Sequence, residues 1–135
     1  MPYWQLFYQA VWATFGREPL LGPEIEPVAH GLIRDKALEL GAKVFAVNGM
    51  EDHVHLVASV PPKLALSFFL GQVKGASSAR LNQSGRLRGR FSWQDEYYVC
   101  SLDAKRLPNH ISYVQNQKDH HARATVIPAL ERTGE

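Results

Sequence analysis

Residues 53–60 read His-Val-His-Leu-Val-Ala-Ser-Val and stop at Pro61-Pro62. So short an apolar, β-branched run, closed by prolines, predicts a strand. Side chains alternate across a strand, so Val54, Leu56, Ala58 and Val60 share one face and His53 and His55 the other. The chain must therefore fold with the first set against a core and two imidazoles side by side opposite. Paired imidazoles can each offer a neutral nitrogen to a divalent metal. The alternative is two polar residues on the open face of a sheet.

The remaining pattern fixes the neighbours of this strand. Tyr3 to Thr14 reads as a first strand, broken by Gly16-Arg17-Glu18-Pro19. Val28, Ala29, Leu32, Ile33, Ala37 and Leu40 recur at helical spacing, with a start near Pro23 or Pro27 and Gly41 as C-cap. Lys43 to Val47 is a short strand, and Asn48-Gly49 is the expected hairpin turn into the His-bearing strand. A second helix is predicted from about Lys63 to Leu81, with Leu66, Phe69, Leu70, Val73 and Leu81 as its stripe and Ser77 interrupting it. Phe91 to Leu102 reads as a last strand. A third helix is predicted from Asp103 or Ala104 to about Ala122, with Pro108 in its first turn. The order is β-α-β-β-α-β plus a helix, an α+β ferredoxin-like antiparallel sandwich. The two crossover helices would cover one sheet face, leaving the histidines on the other.

At 135 residues, 45% of them hydrophobic, the chain suits one domain over 1–135 rather than a disordered segment. No apolar run approaches the roughly 20 residues that span a bilayer, and the N-terminus lacks signal-peptide character. The single cysteine, Cys100, fits a reducing cytoplasm and reads as a small hydrophobe in an apolar run. The net charge of +2 says little. Its distribution says more, because Arg80, Arg86, Arg88 and Arg90 cluster, either as a footprint for phosphates or as a solvated loop.

The predicted third helix carries Tyr113 and Gln117, four apart and so on one face. Gln117 could add an amide oxygen to a metal site begun by His53 and His55. Tyr113, one turn away, is a candidate nucleophile toward a metal-polarised phosphate.

Asp-His-Val-His-Leu on a strand, followed by Tyr-Val-Gln-Asn-Gln-Lys-Asp-His-His on a helix, resembles the single-tyrosine HUH transposases. These are small IS200-like enzymes that include the REP-associated tyrosine transposases. Val11-Trp12-Ala13-Thr14, the segment Lys74-Gly75-Ala76-Ser77-Ser78 and Trp93-Gln94-Asp95-Glu96-Tyr97 match the same family, and the resemblance runs from about Trp4 to Glu131. Related replication initiators place a lysine where this chain has Asn116.

The resemblance implies a DNA transposase that cuts and rejoins single-stranded DNA. His53, His55 and Gln117 would bind Mg²⁺ or Mn²⁺, and Tyr113 would form a 5′-phosphotyrosine. It also implies a homodimer, for which the 91–102 strand is a candidate seam, and recognition of DNA hairpins in the cytoplasm near the nucleoid. Lys74, Arg80, Arg86, Arg88 and Arg90 are candidate phosphate contacts. Trp93 or Tyr97 could stack on a base or belong to the core. Asp52 would support the histidines only if the strand bends there. The competing readings are a domesticated DNA-binding relative, a water-using metal hydrolase and an RNA-binding or dimerisation module.

Overall fold

The run around the histidines does form a strand, flanked on both sides. In the computed structural model, which describes residues 3–134, the strands are β1 (Phe7–Ala13), β2 (Lys43–Met50), β3 (His53–Ser59) and β4 (Tyr98–Leu102). They form one sheet in the order β2-β3-β1-β4, antiparallel at every pair. Helices α1 (Glu26–Glu39) and α2 (Leu66–Gln83) occupy the two crossovers. This is the expected ferredoxin-like arrangement.

The period of two divides the sheet into two chemistries. Ala10, Trp12, Val54, Leu56, Ala58 and Val60 pack with Ile33, Ala37, Phe69, Leu70 and Val73 of the two helices. On the opposite face, Ala46, Val57 and Leu102 meet Tyr113 and Val114 of α3 (Leu107–Gln115). His53 and His55 belong to that second face. They are paired through the ladder with Ala13 and Val11 on one side and Met50 and Asn48 on the other.

Three local expectations are corrected. The hairpin does not turn at Asn48-Gly49, because β2 continues to Met50 and the turn falls at Glu51-Asp52. Gly49 is required there for close approach. A Cβ at this position would sit 2.2 Å from the His53 carbonyl oxygen. Asn48 instead anchors the C-terminal helices, donating to the Gln115 carbonyl at 3.0 Å and accepting from Lys118 Nζ at 3.0 Å.

The last strand is shorter than the 91–102 run, since residues before Tyr98 contribute only the bridge Thr14–Trp93. That stretch wraps α2 instead. Asn82 clamps the Phe91 backbone at both ends, 2.9 and 2.7 Å. The Trp93 indole N–H donates to Ser77 Oγ at 3.0 Å, which explains the polar gap in the stripe of α2.

The third helix is two helices, α3 and α4 (Gln117–Ala122). Asn116 leaves helical geometry at φ −102°, ψ 23°, and its side chain donates to the Ser112 carbonyl at 2.8 Å. A side-chain amide bonding to its own preceding turn competes with the helix ladder. Tyr113 and Gln117 lie on either side of this break, and both remain buried.

Candidate metal and nucleophile site

His53 and His55 are fully enclosed, at 2% and 0% exposure. Their rings stand edge to face with centroids 5.1 Å apart. The position of the hairpin turn brings in Asp52, whose Oδ1 lies 2.7 Å from His53 Nδ1. Asp52 is held from behind by Arg17 at 3.3 Å. Burial opposes the Asp52 charge, but His53 and Arg17 outweigh it and keep the carboxyl below its ordinary range. His53 thus donates from Nδ1 to Asp52 and aims Nε2 inward, the support a ligating imidazole needs.

The centre of the site is occupied by a residue the sequence reading did not single out. Glu131 Oε1 lies 3.2 Å from His53 Nε2 and 3.3 Å from His55 Nε2. It lies 3.2 Å from His121 Nε2 as well. The other carboxylate oxygen, Oε2, accepts from the Tyr113 hydroxyl and, at 3.1 Å, from the Gln117 amide. Gln117, at 0% exposure, turns its Oε1 to His121 Nε2 at 3.0 Å and His53 Nε2 at 3.4 Å. The donor atoms of His53, His55 and Glu131 lie within 4.8 Å of one another, a group that could hold a metal ion. No spacing signal pointed to Glu131, because a tail residue reaches the site only when the chain folds back.

The charges follow from this geometry. Burial resists ionisation of Glu131, but hydrogen bonds from His53 and His55 hold its carboxyl far below the usual carboxylate range. Burial works against a charged His53, yet Glu131 and Asp52 together raise it above its ordinary value. For His55 burial prevails and lowers it below its ordinary value.

Tyr113 reaches the same carboxylate from α3. Its hydroxyl donates to Glu131 and accepts from the Ile127 backbone N–H at 3.0 Å. His120 stacks on its ring at 4.6 Å. Burial, reinforced by Glu131, pushes its pKa up to about 12.

The basic residues divide. Lys74 is 9% exposed and donates to the Gln94, Asp95 and Glu96 carbonyls at 2.6, 3.0 and 3.0 Å. All three of its N–H groups are spent on the 94–96 backbone, leaving none for a phosphate. Arg80 pairs with Glu39 at 3.3 Å on the surface. Arg86, Arg88 and Arg90 are exposed and line a groove of about 360 Å³ together with Leu20 and Leu87. Trp93 is core, packed edge to face on Trp12 and Phe91, and is closed to a base. Tyr97 is half-buried beneath Lys74 Nζ at 5.8 Å. Cys100 is a half-buried free thiol, raised by burial. Among the described residues no helix is long and apolar enough to cross a membrane.

The IS200-like transposase family matches residues 2–117. The ISDra2 transposase TnpA of Deinococcus radiodurans is 28% identical over 121 residues, covering 86% of each chain. The transposase of insertion sequence IS200 from Salmonella typhimurium is 28% identical over 119 residues, covering 84% of this chain and 78% of its own. Among solved structures, a candidate transposase from Deinococcus radiodurans superposes with a TM-score of 0.68 at 26% identity, over 87% of this chain and 95% of its own. A REP-associated tyrosine transposase bound to a REP hairpin superposes with a TM-score of 0.63 over 93% of this chain and 76% of its own. At 13% identity that second likeness speaks for the fold alone. The family match includes His53, His55, Tyr113 and Gln117 and stops short of His121 and Glu131, and on its extent this chain belongs to the IS200-like transposases.

Proposed function

We propose that the chain, acting as one domain, cleaves and rejoins single-stranded DNA through a covalent bond to Tyr113. The observation that carries this reading is one carboxylate. Glu131 touches the Tyr113 hydroxyl through one oxygen and the His53, His55 and His121 imidazoles through the other. A nucleophile and a candidate metal centre thus share a single residue.

The donor set suits a divalent cation. Three Nε2 atoms surround one point, and oxygens from Glu131 and Gln117 complete a mixed nitrogen and oxygen environment. The ion would be Mg²⁺ or Mn²⁺. When bound, the ion would polarise the scissile phosphate.

In this reaction Tyr113 Oη, oriented by its hydrogen bond to Glu131, attacks phosphorus and its proton passes to solvent. The bond to the 3′ oxygen breaks, and that oxygen leaves as a 3′-OH after taking up a proton. The DNA is left with its 5′ phosphate on Tyr113. Attack by a 3′-OH reverses the step and completes strand transfer, with no nucleotide cofactor required. Asp52 holds His53 in register throughout. Arg86, Arg88 and Arg90 are the candidate contacts to the DNA backbone. Hairpin recognition, a homodimer and action in the cytoplasm at the nucleoid belong to the same proposal.

The test is a denaturing gel of the protein with labelled single-stranded DNA carrying hairpins, with Mn²⁺ or EDTA. A metal-dependent covalent band that disappears in Tyr113→Phe is expected. Cleavage that persists in Tyr113→Phe without a band would mean a hydrolase. DNA binding without cleavage or a band would mean a domesticated binder.

A further inference from the structure

Gln9 lies on β1, on the face shared with the histidines, and is 0% exposed. Its side chain bridges two imidazoles. Nε2 is 3.2 Å from His55 Nδ1, and Oε1 is 2.6 Å from His110 Nδ1 on α3. An amide has one donating end and one accepting end. If Gln9 donates to one ring, it must accept from the other, whichever way the amide is turned.

We propose that Gln9 is a positioning residue that allows only one of the two Nδ1 atoms, His55's or His110's, to carry a proton at a time. The consequence for His55 rests on the metal reading above. A metal on His55 Nε2 requires that nitrogen to be bare, so a neutral ring must carry its proton on Nδ1. Gln9 must then offer Oε1 to His55 and its NH₂ to His110, whose Nδ1 must be bare. In the arrangement observed, the amide is turned the other way. His110 Nδ1 donates to Gln9 Oε1, Gln9 donates to His55 Nδ1, and His55 Nε2–H points to Glu131.

Converting one arrangement to the other requires a half-turn of the Gln9 amide. Each ring trades a proton on one nitrogen for a proton on the other through water, with no net gain or loss. His110 is half-exposed and lines a groove of about 660 Å³ beside β4, with Cys100 and Asp103. The state of the buried His55 is therefore tied to a ring that solvent and ligands in that groove can reach.

The test is long-range ¹H–¹⁵N NMR on protein labelled at histidine nitrogens, without metal and with Zn²⁺, a diamagnetic probe. Without metal, His110 Nδ1 should be protonated and His55 Nδ1 bare. With Zn²⁺ the two should exchange states. Gln9→Met should release the metal-free His110 from a single tautomer, while Glu131 keeps the proton on His55 Nε2, and should weaken metal binding about tenfold, the lower end of the range for lost outer-sphere support. Gln9→Glu accepts at both ends, so both Nδ1 atoms can be protonated. Metal affinity should then be retained while His110 no longer responds to Zn²⁺. Both Nδ1 atoms protonated in the native protein would overturn the proposal. So would an unchanged His110 tautomer in metal-free Gln9→Met. If Zn²⁺ leaves His55 unperturbed, the metal reading fails instead, while the metal-free spectra of the native protein and Gln9→Met still decide the coupling.

Discussion

Glu131→Gln separates two opposite roles for the carboxylate at the centre of the site. The substitution keeps the shape and removes the charge. Without metal, Glu131 faces His53, His55 and His121 at 3.2–3.3 Å, and its side chain is only 14% exposed. Hydrogen bonds to a charged group contribute roughly 1.5–3 kcal/mol, and the three imidazoles share one oxygen. A single such loss, about 2 kcal/mol, is therefore the expected cost in EDTA. For a domain of this length that lowers Tm by roughly 4–8 °C. In Mn²⁺ the comparison becomes diagnostic. A metal at 100 times its Kd stabilises the native state by about 2.7 kcal/mol. If Glu131 is a ligand, Glu131→Gln loses most of that gain, read as the Tm difference between Mn²⁺ and EDTA. If Glu131 merely fills the space a metal would take, removing its charge should enlarge the gain. A larger Mn²⁺-induced shift in Glu131→Gln than in the native protein would refute the ligand assignment.

Further outcomes follow from the same contacts. Tyr113 ionises near pH 12 because it is buried against Glu131. Since its folded pKa lies above the unfolded value of about 10, its contribution to stability is complete below pH 10 and fades as pH rises toward 12. In Glu131→Gln the tyrosinate absorbance missing from Tyr113→Phe should appear at lower pH. Gly49→Ala places a methyl 2.2 Å from the His53 carbonyl oxygen and should cost more than about 2 kcal/mol in chemical denaturation, in line with overpacking. Lys74→Met strands three carbonyls now bound by one ammonium. It should cost roughly 3 kcal/mol while leaving the salt dependence of DNA binding unchanged. Replacing Arg86, Arg88 and Arg90 with glutamine should reduce the salt slope for single-stranded DNA by about 2 if all three meet phosphates. An unchanged slope would remove them from the interface.

The sequence by itself determined the sheet and half of the site. Period-two alternation in 53–60 and helical spacing in 28–40 are local signals, and the elements they predicted formed. The placement of His53 and His55 on one face followed from that alternation alone. Local preference misplaced the hairpin, because Asn48-Gly49 favours a turn in isolation. In the folded chain the ladder runs on to Met50↔His53, and Asn48 takes partners 67 and 70 residues away. The 91–97 run has strand composition, yet its aromatics lie against α2, where the partners Ser77, Asn82 and Lys74 are far enough in sequence to leave no local pattern. The same reason hid Glu131 and Gln9 and left the role of Asp52 conditional on a bend. Each acts through a contact that tertiary geometry creates: a tail folded over the sheet, an amide between β3 and α3, a carboxylate set by the true turn. Periodicity tells which way a side chain points, whereas only the folded chain decides what it meets there.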